Sequence, residues 1–280
     1  MSDIESPGET EEPKAYVMGS SDPELSRLIE QAHVFEPQSR ALLQVVHLHR
    51  GMRALDLGCG PVGVLDLLAE SVGTEGEVVG IDSDGGMVTK ARAFAASSGL
   101  QQVKVVTGDA AHTALPSEHF DLVHARLLLL HVKDAGSVVR EMVRLCRPGG
   151  VVALHDVDAD PWFCEPPHPS WDRLAGAFIE LLESRGTAAN LGRRLYGMLF
   201  RAGLVDLGVT AFPELSRSTD PYREKLIDFV TIARGQLLER GLVSEPELGR
   251  LIDELRIHLA QAETIVLGGL HYQAWGRKPA

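Results

Sequence analysis

The chain has little that would suit a secreted, membrane-spanning or nucleic-acid-binding protein. It contains only three cysteines, Cys59, Cys146 and Cys164, an odd number with no C-x-x-C spacing. Neither a disulfide framework nor a thiolate metal site is expected, and free thiols in a reducing compartment are the simplest reading. No apolar run approaches the roughly 18 to 20 residues needed to span a bilayer. The start, MSDIESPGETEEPK, has neither a basic leader nor an apolar segment, which argues against a signal or transit peptide and for a cytoplasmic location. Positive charge is also scarce, with 27 Lys and Arg against 39 Asp and Glu and a net charge of -12. Binding to nucleic acid or to an anionic membrane needs clustered Lys and Arg, so neither partner is expected and a small molecule is the default.

The composition is ordinary for a globular protein, with 44% hydrophobic residues, and 280 residues suffice for one large α/β domain with an inserted cap. Residues 1–14, acidic and without apolar periodicity, read as a flexible tail. Residues 15–50 read as an N-terminal helical lid. Its first helix is capped by Ser21 or Asp22, with Pro23 in the first turn and Leu25, Leu28, Ile29 and Ala32 at helical spacing. Its second helix runs from about Pro37 to His49. From 51 to 158 short β-branched runs (Arg53–Leu57, Glu77–Ile81, Val103–Val106, Asp121–Ala125, Val151–His155) alternate with helical stretches or longer connections. That order predicts right-handed crossovers and a mostly parallel sheet with helices on both faces. Residues 159–204 read as helices of a cap or substrate pocket. Residues 205–280 supply two more strands, near Val205–Phe212 and Thr264–Trp275, around a helical pair that reads as a cap and offers a surface for a homodimer. Seven strands are expected in all.

The stretch RALDLGCGPVG, Arg53 to Gly63, spells G-x-G-x-x-G through Gly58, Gly60 and Gly63, the fingerprint of a dinucleotide site when it joins a strand to a helix. Its surroundings point elsewhere. Asp56 stands two residues before Gly58, where a carboxylate would repel a pyrophosphate and welcome an ammonium group. Asp82 ends the second strand, placed to accept from ribose hydroxyls, and Asp109 ends the third, placed to accept from an adenine amino group.

With these residues in view, LDLGCGPVG, GIDSD, TGDA, FDLVHARLLLLHV and LCRPGGVVALHD resemble the ordered motifs of class I S-adenosylmethionine-dependent methyltransferases, over about Met52 to Asp158. The resemblance implies a Rossmann-like sheet with an antiparallel last strand, and S-adenosylmethionine as cofactor. It implies that Asp56 with Gly58 and Gly60 holds the methionyl end, Asp82 the ribose, and Asp109 with Ala110 the adenine, Ser83 lying in the wall beside them. Arg126 and Leu127 would sit next to the sulfonium, and Tyr16 could close over the cofactor from the lid. One departure stands out: the family's loop is typically G-x-G-x-G, whereas position 62 is Val and the next glycine is Gly63.

Methyl transfer relies on proximity and alignment, and some acceptors also need a base. His131, after the fourth strand, is either a packing residue or that base. Asp156 and Asp158 share one face of the fifth strand, and Asp156 is the second catalytic candidate; no third ligand accompanies them, so no metal is expected. Arg126 needs a partner, a substrate anion or Asp156. Arg193 and Arg194 form either a solvated face or a clamp for an acceptor anion. Trp162 and Phe163 line either cap packing or an apolar acceptor pocket. Cys59, at a helix N-terminus, either has a lowered pKa or fills space.

The expected activity is therefore transfer of a methyl group to a small organic acceptor, of secondary-metabolite or quinone type. A non-methylating S-adenosylmethionine enzyme such as a cyclase, or an NAD(P)-dependent oxidoreductase, remain as alternatives.

Overall fold

The computed structural model describes Met18 and residues 21–280; the expected tail, 1–14, and Tyr16 lie outside the described residues. Five parallel strands, β1 (Arg53–Leu57), β2 (Glu77–Asp82), β3 (Val103–Thr107), β4 (Phe120–Arg126) and β5 (Cys146–Asp158), lie in the order β3-β2-β1-β4-β5. Next to β5 runs β8 (Ile265–Arg277), antiparallel, with β7 (Val205–Arg217) along its far edge. All seven expected strands are present. An eighth, β6 (Phe163–Glu165), pairs with the start of β8; three residues are too few to show a strand period.

Strand order reverses between β1 and β4, so a crevice opens at their carboxyl ends, where α/β sheets bind ligands. Helices α2 (Glu36–Val45), α3 (Leu65–Val72) and α4 (Gly85–Ser97) cover one face of the sheet, packing Leu42, Leu65, Leu68 and Val88 on Ala54, Val78 and Leu122. On the other face α5 (Ala135–Leu145) and α7 (Leu195–Arg201) pack Val138, Met142, Leu195 and Leu199 on Leu55, Leu57 and Val123. Alternation along β1, Ala54 to one side and Leu55 to the other, is what lets a five-residue strand serve both cores.

The cap is a separate apolar cluster. Helices α6 (Pro169–Ser184), α8 (Lys225–Ile232), α9 (Arg234–Glu239) and α10 (Glu245–Leu259) bury Trp171, Leu174, Leu226, Val230, Leu248 and Leu255 among themselves. Full burial of one such side chain contributes roughly 2 kcal/mol. The segment 159–204 therefore divides: α6 joins the cap, while α7 belongs to the core. The expected helical pair is three helices, because the chain breaks at Ala233 and again at Arg240.

Helix α1 (Asp22–Val34) starts where expected, with Ser21 Oγ accepting from the Glu24 N–H. Its inward face differs from the apolar stripe. Glu24 and Arg27 are buried and Ile29 is 37% exposed. Arg27 binds both Glu24 oxygens at 2.7 Å and lies over the Phe229 ring, so a neutralised ion pair takes the place of a Leu stripe against the cap.

Candidate functional site

A single cavity of about 660 Å³ runs from the β1–β4 crevice to the cap. Its first end is built by the glycine loop. Gly58, Gly60 and Gly63 all take left-handed backbone angles, φ +66°, +57° and +55°, and α3 begins only at Leu65. A Cβ at Gly63 would lie 2.2 Å from the Cys59 carbonyl oxygen. The extra residue, Val62, thus lengthens the turn by one position and shifts the third required glycine with it.

Asp82 closes the loop from the side. Its Oδ2 accepts from the Gly60 N–H and its Oδ1 from the Asp84 N–H, both at 2.9 Å. Burial raises its pKa, and these two N–H bonds oppose the rise. Asp84 in turn caps α4, accepting from Gly86 and Met87. Asp56, 2% exposed, is held by His124 Nδ1 at 2.8 Å.

Asp56, Gly58, Gly60, Asp82, Ser83 and Asp109 all line this end of the cavity. Asp109 is turned to its own loop, accepting from the Ala111 N–H at 2.8 Å. Ala110 is buried behind it, and Ala111 rather than Ala110 reaches the cavity. The donors of this end do not suit a pyrophosphate: Gly60 N–H is already taken by a carboxylate, and Asp56, Asp82, Asp84 and Asp109 are assembled around it. They suit a phosphate-free cation carrying ribose and adenine, the chemistry of S-adenosylmethionine.

Arg126 lines the cavity where β4 ends. Asp156 does not hold it: Nη2 donates to the Gly63 carbonyl at 2.8 Å and Nη1 to Ser39 Oγ at 3.2 Å. Arg126 pairs in register with His155, so both share a face of the sheet from which Asp156 points away. Burial lowers the Arg126 pKa. The next residue, Leu127, has φ +53°, uncommon for a residue other than glycine, and its N–H donates to the His155 carbonyl at 2.7 Å. This bend swings Leu127 and Leu128 onto the cavity wall beside Gly58.

His131, in a 3-10 turn over Leu129–His131, lines the cavity. Burial, with the Arg27 charge adding to it, pushes its pKa down to about 4, so the imidazole is neutral across the physiological range. Asp156 is placed otherwise. It is 1% exposed, is absent from the cavity wall, and accepts from the Leu130 and Val157 N–H groups. Burial raises its pKa to about 7. Its place is to hold the turn that carries His131, and Val157, on the opposite face of β5, reaches the cavity instead.

Arg193 also lies away from the cavity, pairing with the fully buried Asp158 through Nε. Arg194 and Phe163 are exposed and do not line it. Trp162 does, edge-on to Trp171 and Phe229. Cys59 is buried, and burial together with Asp56 and Asp82 pushes its thiol well above the ordinary range; it fills space beside Gly80. Among the described residues, no group of three His, Cys, Asp or Glu is placed to hold a metal ion, and no helix is long and apolar enough to cross a membrane.

Apart from Met18 and Leu28, which the sequence places in the N-terminal lid, the cap end contains residues that the sequence did not single out. Met18, Leu28, Phe178, Ile179, Leu182 and Phe229 give an apolar wall, and Glu214, Lys225 and His271 a buried polar patch. The available signal was His271 and Gln273, alternate polar residues in an otherwise apolar strand; Lys225 at a helix start carries none.

Three comparisons bear on this geometry. The methyltransferase domain matches as a family over residues 48–193, more than half of the chain. Nocamycin O-methyltransferase of Saccharothrix syringae is 42% identical over 43% of this chain and 43% of its own length. Demethylmenaquinone methyltransferase of Listeria monocytogenes is 29% identical over 49% of this chain and 55% of its own. The chain thus spans about half the length of the curated relatives it matches. The solved YcgJ protein of Bacillus subtilis shares the fold, with a TM-score of 0.58 at 20% identity over 87% of this chain and 99% of that one.

Proposed function

Because the chain belongs to the class I S-adenosylmethionine-dependent methyltransferase family, we propose that it methylates a small, largely apolar organic acceptor bound between sheet and cap. The observation that carries this is one continuous cavity with two chemically different ends, carboxylates around a glycine loop at one and an aromatic wall at the other. The names of two relatives, nocamycin O-methyltransferase and demethylmenaquinone methyltransferase, favour acceptors of secondary-metabolite or quinone type.

In this reading S-adenosylmethionine supplies a methyl group on positively charged sulfur. Asp56 and the glycine loop hold the amino acid end, Asp82 the ribose, and the Asp109 loop the adenine. Leu127 and Leu128 fix the wall between donor and acceptor. Alignment by these walls supplies most of the acceleration. His131, neutral but only weakly basic, takes the acceptor's proton where one must leave. α1, with Leu28 and Gln31 on the cavity wall, covers the entrance and excludes water.

Incubation with a methyl-labelled donor and a panel of phenols, quinols, enols and small carboxylic acids tests this. Label transfer to at least one small acceptor is expected, with S-adenosylhomocysteine binding measurable by calorimetry. Binding of NADH without binding of S-adenosylhomocysteine overturns the reading, and so does cofactor binding with no transfer to any class.

A further inference from the structure

The cap end of the cavity holds a buried chain of polar groups that methyl transfer as described does not use. Lys225 forms an ion pair with Glu214 and also donates to the Gly268 carbonyl at 2.9 Å. Glu214 Oε2 lies 3.0 Å from His271 Nε2, and His271 Nδ1 lies 3.0 Å from His155 Nε2. A carboxylate only accepts, so His271 carries its proton on Nε2 and accepts on Nδ1 from His155. All four side chains are buried.

The arrangement is built by the backbone. The β7–β8 ladder shifts register between Pro213, opposite Leu270, and Leu215, opposite Leu267, so Glu214 faces a bulge on β8 made by Gly268 and Gly269, where the strand bends away and leaves space for its side chain. A Cβ on Gly268 would come 1.8 Å from Glu214 Oε1 and 2.6 Å from Lys225 Nζ; only glycine leaves room for the pair.

Hydrogen-bond capacity here is unequal. Both Glu214 oxygens and both His271 nitrogens are engaged. Lys225 has three hydrogens and two oxygen partners, its ammonium otherwise facing the rings of Trp162, Tyr222 and Phe229. Trp162 lines the same end, and its buried Nε1–H has no acceptor among the described residues. His155 Nδ1, an acceptor, is also unpaired among the described residues but does not line the cavity; the spare groups that do are donors. The cluster is also electrically neutral: Lys225 is matched by Glu214, and burial pushes both histidines below their usual pKa. A buried anion added there would have no uncompensated partner, which is costly.

We propose that Lys225, with Trp162, is the binding site for an uncharged, hydrogen-bond-accepting oxygen, a carbonyl, at the end of the acceptor remote from the methylated atom. Glu214 lies on β7, three strands beyond β4 in the order β4-β5-β8-β7. At about 4.8 Å per strand the two ends are about 14 Å apart, so the acceptor is elongated, with an apolar middle against Phe178, Leu182 and Phe229. This rests on the methyl-transfer reading only for calling the ligand the acceptor.

The test uses protein saturated with S-adenosylhomocysteine and three probes of one shape: 4-phenyl-2-butanone labelled with carbon-13 at the carbonyl, butylbenzene, and 4-phenylbutanoate. The ketone is expected to bind about tenfold more tightly than the other two, with its infrared carbonyl band shifted to lower frequency. In Lys225→Met/Glu214→Gln, which leaves no unpaired charge, the preference disappears and the band returns toward its value in an apolar solvent, while S-adenosylhomocysteine affinity is unchanged. A carboxylate that binds as well as the ketone, a ketone no better than butylbenzene, or a band that does not respond to the double substitution overturns the proposal. If the double variant fails to fold, the wild-type band decides, and a bound carbonyl at its apolar-solvent frequency rejects the site. Failure of S-adenosylhomocysteine to bind the wild type counts against the methyl-transfer reading instead.

Discussion

Asp82 Oδ2 accepts the amide proton of Gly60 at 2.9 Å, joining the end of β2 to the glycine loop that follows β1. The carboxylate is oriented before any ligand arrives, and the loop cannot drift from the strand beside it. Asp82→Ala removes both this tie and the proposed bonds to ribose, each charge-assisted and worth about 1.5–3 kcal/mol. S-adenosylhomocysteine affinity is expected to fall at least about 30-fold by calorimetry, with the fold retained by circular dichroism. Unchanged affinity removes Asp82 from the adenosyl site.

Gly63 and Gly60 share left-handed angles but not surroundings. Gly63→Ala brings a Cβ against the Cys59 carbonyl, whereas a Cβ at Gly60 meets nothing within 4 Å. Gly60→Ala is expected to cost about 1 kcal/mol of backbone strain and Gly63→Ala clearly more, read as denaturation midpoints. Equal losses would show that the loop relaxes around Val62.

Asp156 makes stability depend on pH. Burial raises its folded pKa to about 7 from the ordinary 3.8 of an aspartate, so between these values the folded state keeps a proton that the unfolded state has lost. The stabilisation from that proton is complete below about pH 4 and is lost as pH rises toward 7. Asp156→Asn cannot titrate. Denaturation at pH 4 and pH 7 is expected to show the wild type losing a few kcal/mol relative to the variant on going up; a constant difference overturns the assignment.

With the acceptor that the labelled-donor panel identifies, His131→Gln is expected to lower kcat about 100-fold if the histidine takes the proton, leaving S-adenosylhomocysteine affinity unchanged. Its pKa is pushed down to about 4, and only the neutral ring accepts a proton. The acid limb of the wild-type rate therefore falls near pH 4, and a limb at about 6.5 rejects His131 as the base.

Arg193 and Arg194 are neighbours with different duties. Arg193→Ala leaves the buried Asp158 without its guanidinium and is expected to lower the thermal midpoint, while Arg194→Ala leaves it in place. Neither is expected to change the KM for the acceptor. A KM increase in either variant would return that arginine to the acceptor site.

Much of the glycine-loop end of the cavity was readable along the chain. Asp56, Asp82 and Asp109 lie at or just beyond the carboxyl ends of their strands, and parallel strands deliver their ends to one edge of the sheet whatever the loops do. Asp156 shows the limit: alternation said correctly that it shares a face with Asp158, but the choice of which face meets the cavity depends on where the cap sits. Trp162 and Phe163, adjacent in sequence, part company for the same reason, Phe163 being carried outward on the short β6.

Local order, then, was enough for whatever follows from a strand's direction and period: the parallel core, the glycine loop, and the acids at the strand ends. Three dimensions decided what comes from segments far apart in the chain. Lys225, Glu214, His271 and His155 carry no mutual spacing, and they meet only because the β8 bulge opposite Glu214 and the missing side chain of Gly268 leave a pocket where burial forces polar groups to pair.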